Sequence, residues 1–161
     1  MHINDVMKYG HGEILKAVDG LGFEHWETGG VCGVWSVKNV IAHLASHELI
    51  MIDTLNLVNG ASETPNLARF GELRAAFNDV TVDERKSMSP EDTLAEYVQN
   101  AERAMQLAAE IPDETARKSG IFPWYGAEYD LEDMVAYGVY GHKREHSAQI
   151  NVFRDSLKAR G

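Results

Sequence analysis

The sequence predicts an all-α protein: a four-helix bundle with a long irregular connection between its second and third helices. Three observations carry this expectation. Four long segments place apolar residues at three- and four-residue spacing, and no segment shows the strict alternation of a half-buried strand. The chain has 161 residues, enough for one domain, residues 1–161, with a hydrophobic core of its own. Its composition, 44% hydrophobic and 25% charged, is that of a globular protein and sets aside intrinsic disorder.

The first helix is expected from about Asn4 to Asp19, with Val6, Ile14, Leu15 and Val18 on its apolar face and Gly20-Leu21-Gly22 ending it. Gly10 and Gly12 weaken it, each by about 1 kcal/mol relative to Ala. Trp26 to Trp35 contains Gly29, Gly30 and Gly33 and reads as a loop. Ser36 then caps a second helix that reaches about Val58, where Asn59-Gly60 stops it. Between positions 61 and 88 the pattern is mixed, with a short helix over Asn66 to Phe77. Ser89-Pro90-Glu91-Asp92 joins an N-cap, a proline at the first helical position and early acids, and opens a third helix to about Glu110. Ile111 to Tyr129 is a loop with Pro112 and Pro123, whose aromatic cluster Phe122, Trp124 and Tyr125 is expected as a core plug. Asp130, with Asp133 following, starts a fourth helix to about Lys158.

Charge and cysteine usage remove several functions. With 25 Asp and Glu against 15 Lys and Arg, the formal net charge is −10, which argues against a nucleic-acid partner. No run approaches the roughly 18 apolar residues of a membrane span. Met1-His2-Ile3-Asn4-Asp5 lacks the basic and apolar regions of a signal peptide, so a cytoplasmic location is expected. Cys32 is the only cysteine, which fits a reducing compartment and leaves it inert.

Among seven histidines, four lie in pairs at helical spacing. In His142-Lys143-Arg144-Glu145-His146 both imidazoles leave one face of the last helix. Leu131, Val135, Gly138, His142, His146, Gln149, Phe153 and Leu157 mark that face as the interior stripe. Buried imidazoles need partners, and one metal satisfies both. The intervening residues do not form H-E-x-x-H, so a metalloprotease lacks its general base here. A second pair, His43 and His47, lies in the second helix, and either can reach the first pair by spacing alone. His2, His11 and His25 are expected as surface or packing residues.

Two stretches resemble the DinB/YfiT-like superfamily of metal-dependent enzymes. Trp35-Ser36-Val37-Lys38-Asn39-Val40-Ile41-Ala42-His43-Leu44 is similar to that family's second-helix signature. Tyr140-Gly141-His142-Lys143-Arg144-Glu145-His146-Ser147-Ala148-Gln149-Ile150 is similar to its last helix. Helix order, length and the long second connection also fit, so the resemblance covers nearly the whole chain. It implies a divalent metal, zinc or nickel, held by His43, His142 and His146. The choice of His43 over His47 comes from the resemblance; His47 is then a residue beside the ligands.

Three imidazoles leave a coordination position free, as in catalytic zinc sites. A metal there lowers the pKa of bound water toward 7 or takes up a thiolate. The resemblance leaves hydrolysis and thiol-dependent S-transfer both open, on a small-molecule substrate and with a low-molecular-weight thiol as a second reactant. A non-catalytic protein that sequesters a metal or small molecule is the alternative, and a purely structural bundle with packed core histidines is a third. No general base is evident: Glu48 is expected as an exposed helix glutamate, with a role beneath a ligand's second nitrogen as the other option. Glu145 is expected at the surface, and Tyr140 and Trp124 in the pocket lining. A homodimer through a helix face is a further expectation. The carboxylates concentrate at helix starts and exposed faces, so a metal among neutral imidazoles would attract a small anion.

Overall fold

The computed structural model describes residues 1–161 and is all-helical, apart from an isolated bridge between Cys32 and Trp35. Four long helices form the bundle: α1 (Ile3–Val18), α2 (Val37–Val58), α5 (Pro90–Ala109) and α8 (His142–Arg160). The connection after α2 is largely helical. It holds α3 (Pro65–Leu73), a 3₁₀ turn (Arg74–Ala76) and α4 (Phe77–Asp83), where the sequence suggested a single short helix. The expected loop after α5 holds a further turn of helix, α6 (Asp113–Ala116).

Local chemistry sets the helix starts. Ser36 and Asn39 form a reciprocal capping box at α2: the Asn39 N–H donates to Ser36 Oγ at 3.2 Å, and the Ser36 N–H to Asn39 Oδ1 at 3.0 Å. At α5, Ser89 Oγ accepts from the Asp92 N–H at 3.0 Å ahead of Pro90. Asp130 and Asp133 form another capping box at α7 (Leu131–Asp133). The start of α3 has no side-chain cap of its own; Asp53, buried on α2, accepts from the Asn66 and Leu67 N–H groups at 2.5 and 3.1 Å.

One departure from regular geometry matters for the site. From α7 the chain runs on through Met134–Gly141, wound as a π-helix, into α8. An i→i+5 turn holds more residues than the 3.6 of an α-turn. Buried positions therefore step through Val135, Val139, Lys143 and Ser147. The stripe expected from α-periodicity passed through Gly138 and His142 instead; the wider turn rotates it, leaving Gly138 exposed, His142 half-buried and Lys143 inside.

α2 packs along α5, and α1 along the π segment and α8. Gly10 permits the second contact, since a Cβ there would stand 3.3 Å from Lys143 Cδ and 3.4 Å from Tyr140 Cα. The glycine that weakens α1 locally thus makes room for the last helix.

The apolar core divides into two clusters. One holds Ile3, Met7, Met51, Leu55, Ala104, Phe122, Leu131 and Val139. The other holds Ile14, Trp26, Val40, Leu44, Tyr97, Ala101, Ile150 and Phe153. On three of the long helical segments a buried polar residue falls between members of the two: His11 between Met7 and Ile14, Glu48 between Leu44 and Met51, Lys143 and His146 between Val139 and Ile150. A polar layer therefore crosses the bundle at mid-height.

Candidate metal centre

Three histidines meet in that layer. His43 from α2, and His142 and His146 from consecutive turns of α8, offer ring nitrogens that all lie within 4.8 Å of one another. His142 Nε2 is 2.8 Å from His43 Nε2 and 3.0 Å from His146 Nε2. The loop before α2 supports His43. Gly33 takes a φ of 58° at the turn that bridges Cys32 to Trp35, and the Trp35 ring lies 5.1 Å from the His43 ring.

The protonation pattern fits a cation. Burial holds His43 at about 2 and His142 at about 3, with neighbouring histidines lowering both further. Burial also lowers His146 and His47, although hydrogen bonds to Gln149 and Asn78 respectively act in the opposite direction. All four rings are neutral at pH 7, as ligands must be. Gln149 Oε1 accepts from His146 Nδ1–H at 2.8 Å, which leaves the His146 Nε2 lone pair facing His142. His142 Nε2 must then donate, and its single proton has to serve His43 Nε2 as well. A divalent cation among the three nitrogens removes that conflict by accepting all three lone pairs. His43 Nδ1, by contrast, is buried without a partner, so only His146 has its second nitrogen held.

His47 stands beside this group rather than in it. Its Nε2–H donates to Asn78 Oδ1 at 3.1 Å, and its ring lies against Phe70 and Phe77. It is close to the three, with ring centroids 4.4 Å from His43 and 4.9 Å from His142. Asn78, on α4, was not legible as a site residue, because the sequence does not reveal that the second connection folds back over α2.

A cavity of about 490 Å³ opens next to the histidines, between α2 and the last helix. Its walls are mostly apolar: Leu44, Ile50, Met51, Leu67, Phe70 and Val139 among them, with Trp124 and Tyr125 at the side. His47, His142, Glu48 and Lys143 supply the polar lining. The aromatic cluster therefore divides: Phe122 is the buried plug that was expected, while Trp124 is half-exposed and lines the cavity with Tyr125. Tyr140 does not line it, since the π segment turns its backbone toward Gly10 on α1.

Glu48 is the main correction. It is 2% exposed rather than a surface residue, and its Oε1 pairs at 2.5 Å with Nζ of Lys143, itself 2% exposed. It does not support His43 Nδ1, which has no partner. With Asp53 it also places two carboxylates inside α2, where almost none were expected. The Lys143 ammonium lies 5.6 Å from the centre of the Tyr97 ring, and the Tyr97 hydroxyl is 3.2 Å from His11 Nδ1. Burial, then Lys143, holds His11 at about 4, and burial raises Tyr97. His11 is thus a packing residue, and Glu145 is exposed, both as expected.

An α-helical bundle in which histidines of the second and last helices converge on one point defines a class, the DinB/YfiT-like bundles. Residues 9–134 match the family described as Mycothiol maleylpyruvate isomerase N-terminal domain, and the chain belongs to it. The match includes His43 and ends before His142 and His146. No curated protein and no solved structure shows a significant match to the chain. No helix is long and apolar enough to cross a membrane.

Proposed function

We propose that this chain is a divalent-metal-dependent enzyme acting on a small organic molecule, with His43, His142 and His146 as the metal ligands. One observation carries the reading: three neutral ring nitrogens within 4.8 Å of one another, in contacts that no arrangement of their own protons satisfies singly. When bound, a divalent metal, zinc or nickel, supplies Lewis acidity and a free coordination position beside the cavity. Gln149 orients the His146 ring, Trp35 packs against the His43 ring, and the apolar walls exclude water from a ligand seated against them.

The family description names an isomerase of maleylpyruvate that uses mycothiol. That favours thiol-dependent transfer or isomerisation over simple hydrolysis, with a low-molecular-weight thiol as the second reactant. Turnover without a thiol would reverse this order. Metal content before and after His142→Ala is the direct test: the wild type is expected to hold one ion per chain and the variant to lose it, and unchanged stoichiometry would exclude the site.

Binding without turnover is favoured by one observation. The only carboxylate lining the cavity, Glu48, is already engaged by Lys143 and is not a free base. A screen of thiols with electrophilic substrates decides between the two, since any metal-dependent turnover eliminates the binding-only reading.

A further inference from the structure

Beside the cavity at the histidines lies a second one, of about 370 Å³. Leu67, Phe70 and Trp124 line both, so the two spaces adjoin along those three side chains. On α2, His47 lines the first cavity and Leu57 the second, ten positions or about 15 Å farther along the helix axis. The lining changes over that length. The ionisable side chains, His47, Glu48, His142 and Lys143, all belong to the first cavity, where Glu48 and Lys143 are already paired. The second has no charged residue; Thr64 and the Trp124 indole are its only polar side chains.

α3 gives an independent sign that this space is meant to be filled. A surface helix ordinarily turns its apolar stripe into the core. None of the nine residues of α3 is buried, and Leu67 and Phe70, three positions apart on one face, turn toward the two cavities instead. Phe70 stays 36% exposed and Trp124 53% exposed. Exposed apolar side chains gathered around a concave space mark a binding groove for a small molecule.

We infer that the substrate is elongated, with a metal-binding or anionic head at the three histidines and an uncharged, apolar tail that runs past Leu67, Phe70 and Trp124 into the second cavity. This rests on the reading of the first cavity as the substrate site of a metal enzyme. The class indicated is straight-chain acyl or alkyl compounds rather than compact acids. A compact acid fills only the histidine end and leaves the apolar face of α3 uncovered.

Calorimetric titration with butano-, hexano-, octano- and decanohydroxamic acid tests the tail site, on zinc-loaded and on chelator-treated protein. The head is constant through the series, and only the tail grows. On zinc-loaded protein the affinity is expected to climb about three- to fourfold for each added methylene up to the longer homologues. Two substitutions on α3 obstruct the second cavity alone. Gly71→Phe is sterically open, since nothing lies within 4 Å of a Cβ built there, and it fills the space; Ala68→Glu, at an exposed position, puts a charge into it. In these variants the climb is expected to stop at the shorter homologues, and its loss in either one supports the proposal. Affinity independent of tail length in the wild type, or a climb that survives both substitutions, would overturn it. A climb with tail length in a protein that takes up no zinc would overturn the metal reading alone. Stoichiometric zinc with no dependence on tail length would overturn the extended cavity alone.

Discussion

At His43, His142 and His11 the burial that organises the site also exposes it to acid. Their folded values of about 2, 3 and 4 lie below the ordinary 6.5. Above about pH 6.5 both folded and unfolded chains leave these rings neutral, and they add no pH dependence. Below it the unfolded chain takes up protons that the folded chain refuses, so stability falls as pH drops. The melting temperature of chelator-treated protein is therefore expected to be flat from about pH 8 to 7 and to decline steadily below about pH 6. A midpoint unchanged down to about pH 4.5 would contradict the burial of neutral imidazoles. Lys143 and Glu48 give a second prediction at this scale. Lys143→Met should cost about 3–5 kcal/mol by leaving a buried carboxylate unpaired, and adding Glu48→Leu should recover most of it. Chemical denaturation of the single and double variants measures both, and a single variant as stable as wild type would show that the pair is solvated.

Among the elements, α3 and the π segment shape the cavity. α3 has no buried residue and no side-chain cap of its own; its start is held by Asp53 across the gap from α2. Replacing that carboxylate, Asp53→Ala, should free the first turn of α3 and loosen the wall carrying Leu67 and Phe70. Hydrogen exchange of the amides over Pro65–Leu73 is expected to accelerate markedly while that of α5 stays unchanged; equal protection in the two proteins would show that packing alone holds α3. The π segment matters through register. It brings Lys143 to the interior and lets Tyr140 approach α1 at Gly10. Gly10→Val should therefore destabilise by about 1–3 kcal/mol, more than helix propensity alone accounts for, because its branched side chain meets the Tyr140 backbone and the Lys143 stem. A stabilising effect in a denaturant titration would mean the two helices part easily.

For the molecule as a whole, the bundle is two apolar clusters joined through a polar layer. The layer gathers every element of the candidate chemistry: the three histidines, the Glu48–Lys143 pair, and Tyr97 with His11 behind it. The helices and the stop and start signals between them were legible in advance because capping and periodicity are local properties. Ser36, Ser89 and Asp130 cap helices where the sequence placed them. The histidine site was partly legible: spacing put His142 and His146 on one face, and resemblance preferred His43 to His47. Glu48 was misplaced at the surface, because a glutamate on a helix is exposed unless a distant partner compensates it. Asn78 and Lys143 went unnoticed for the same reason.

By itself the sequence determined an all-helical chain, the order and ends of its long helices, and two histidine-bearing turns. Each of those depends on neighbours within a few positions, through backbone capping and the 3.6-residue repeat. Only the tertiary structure decided which charges lie inside. The π winding between Met134 and Gly141 rotates Lys143 inward, and Glu48 meets it from a helix far away in the chain. Burial of a charge is decided by the partner it finds, and that partner belongs to the packing of helices rather than to any local pattern.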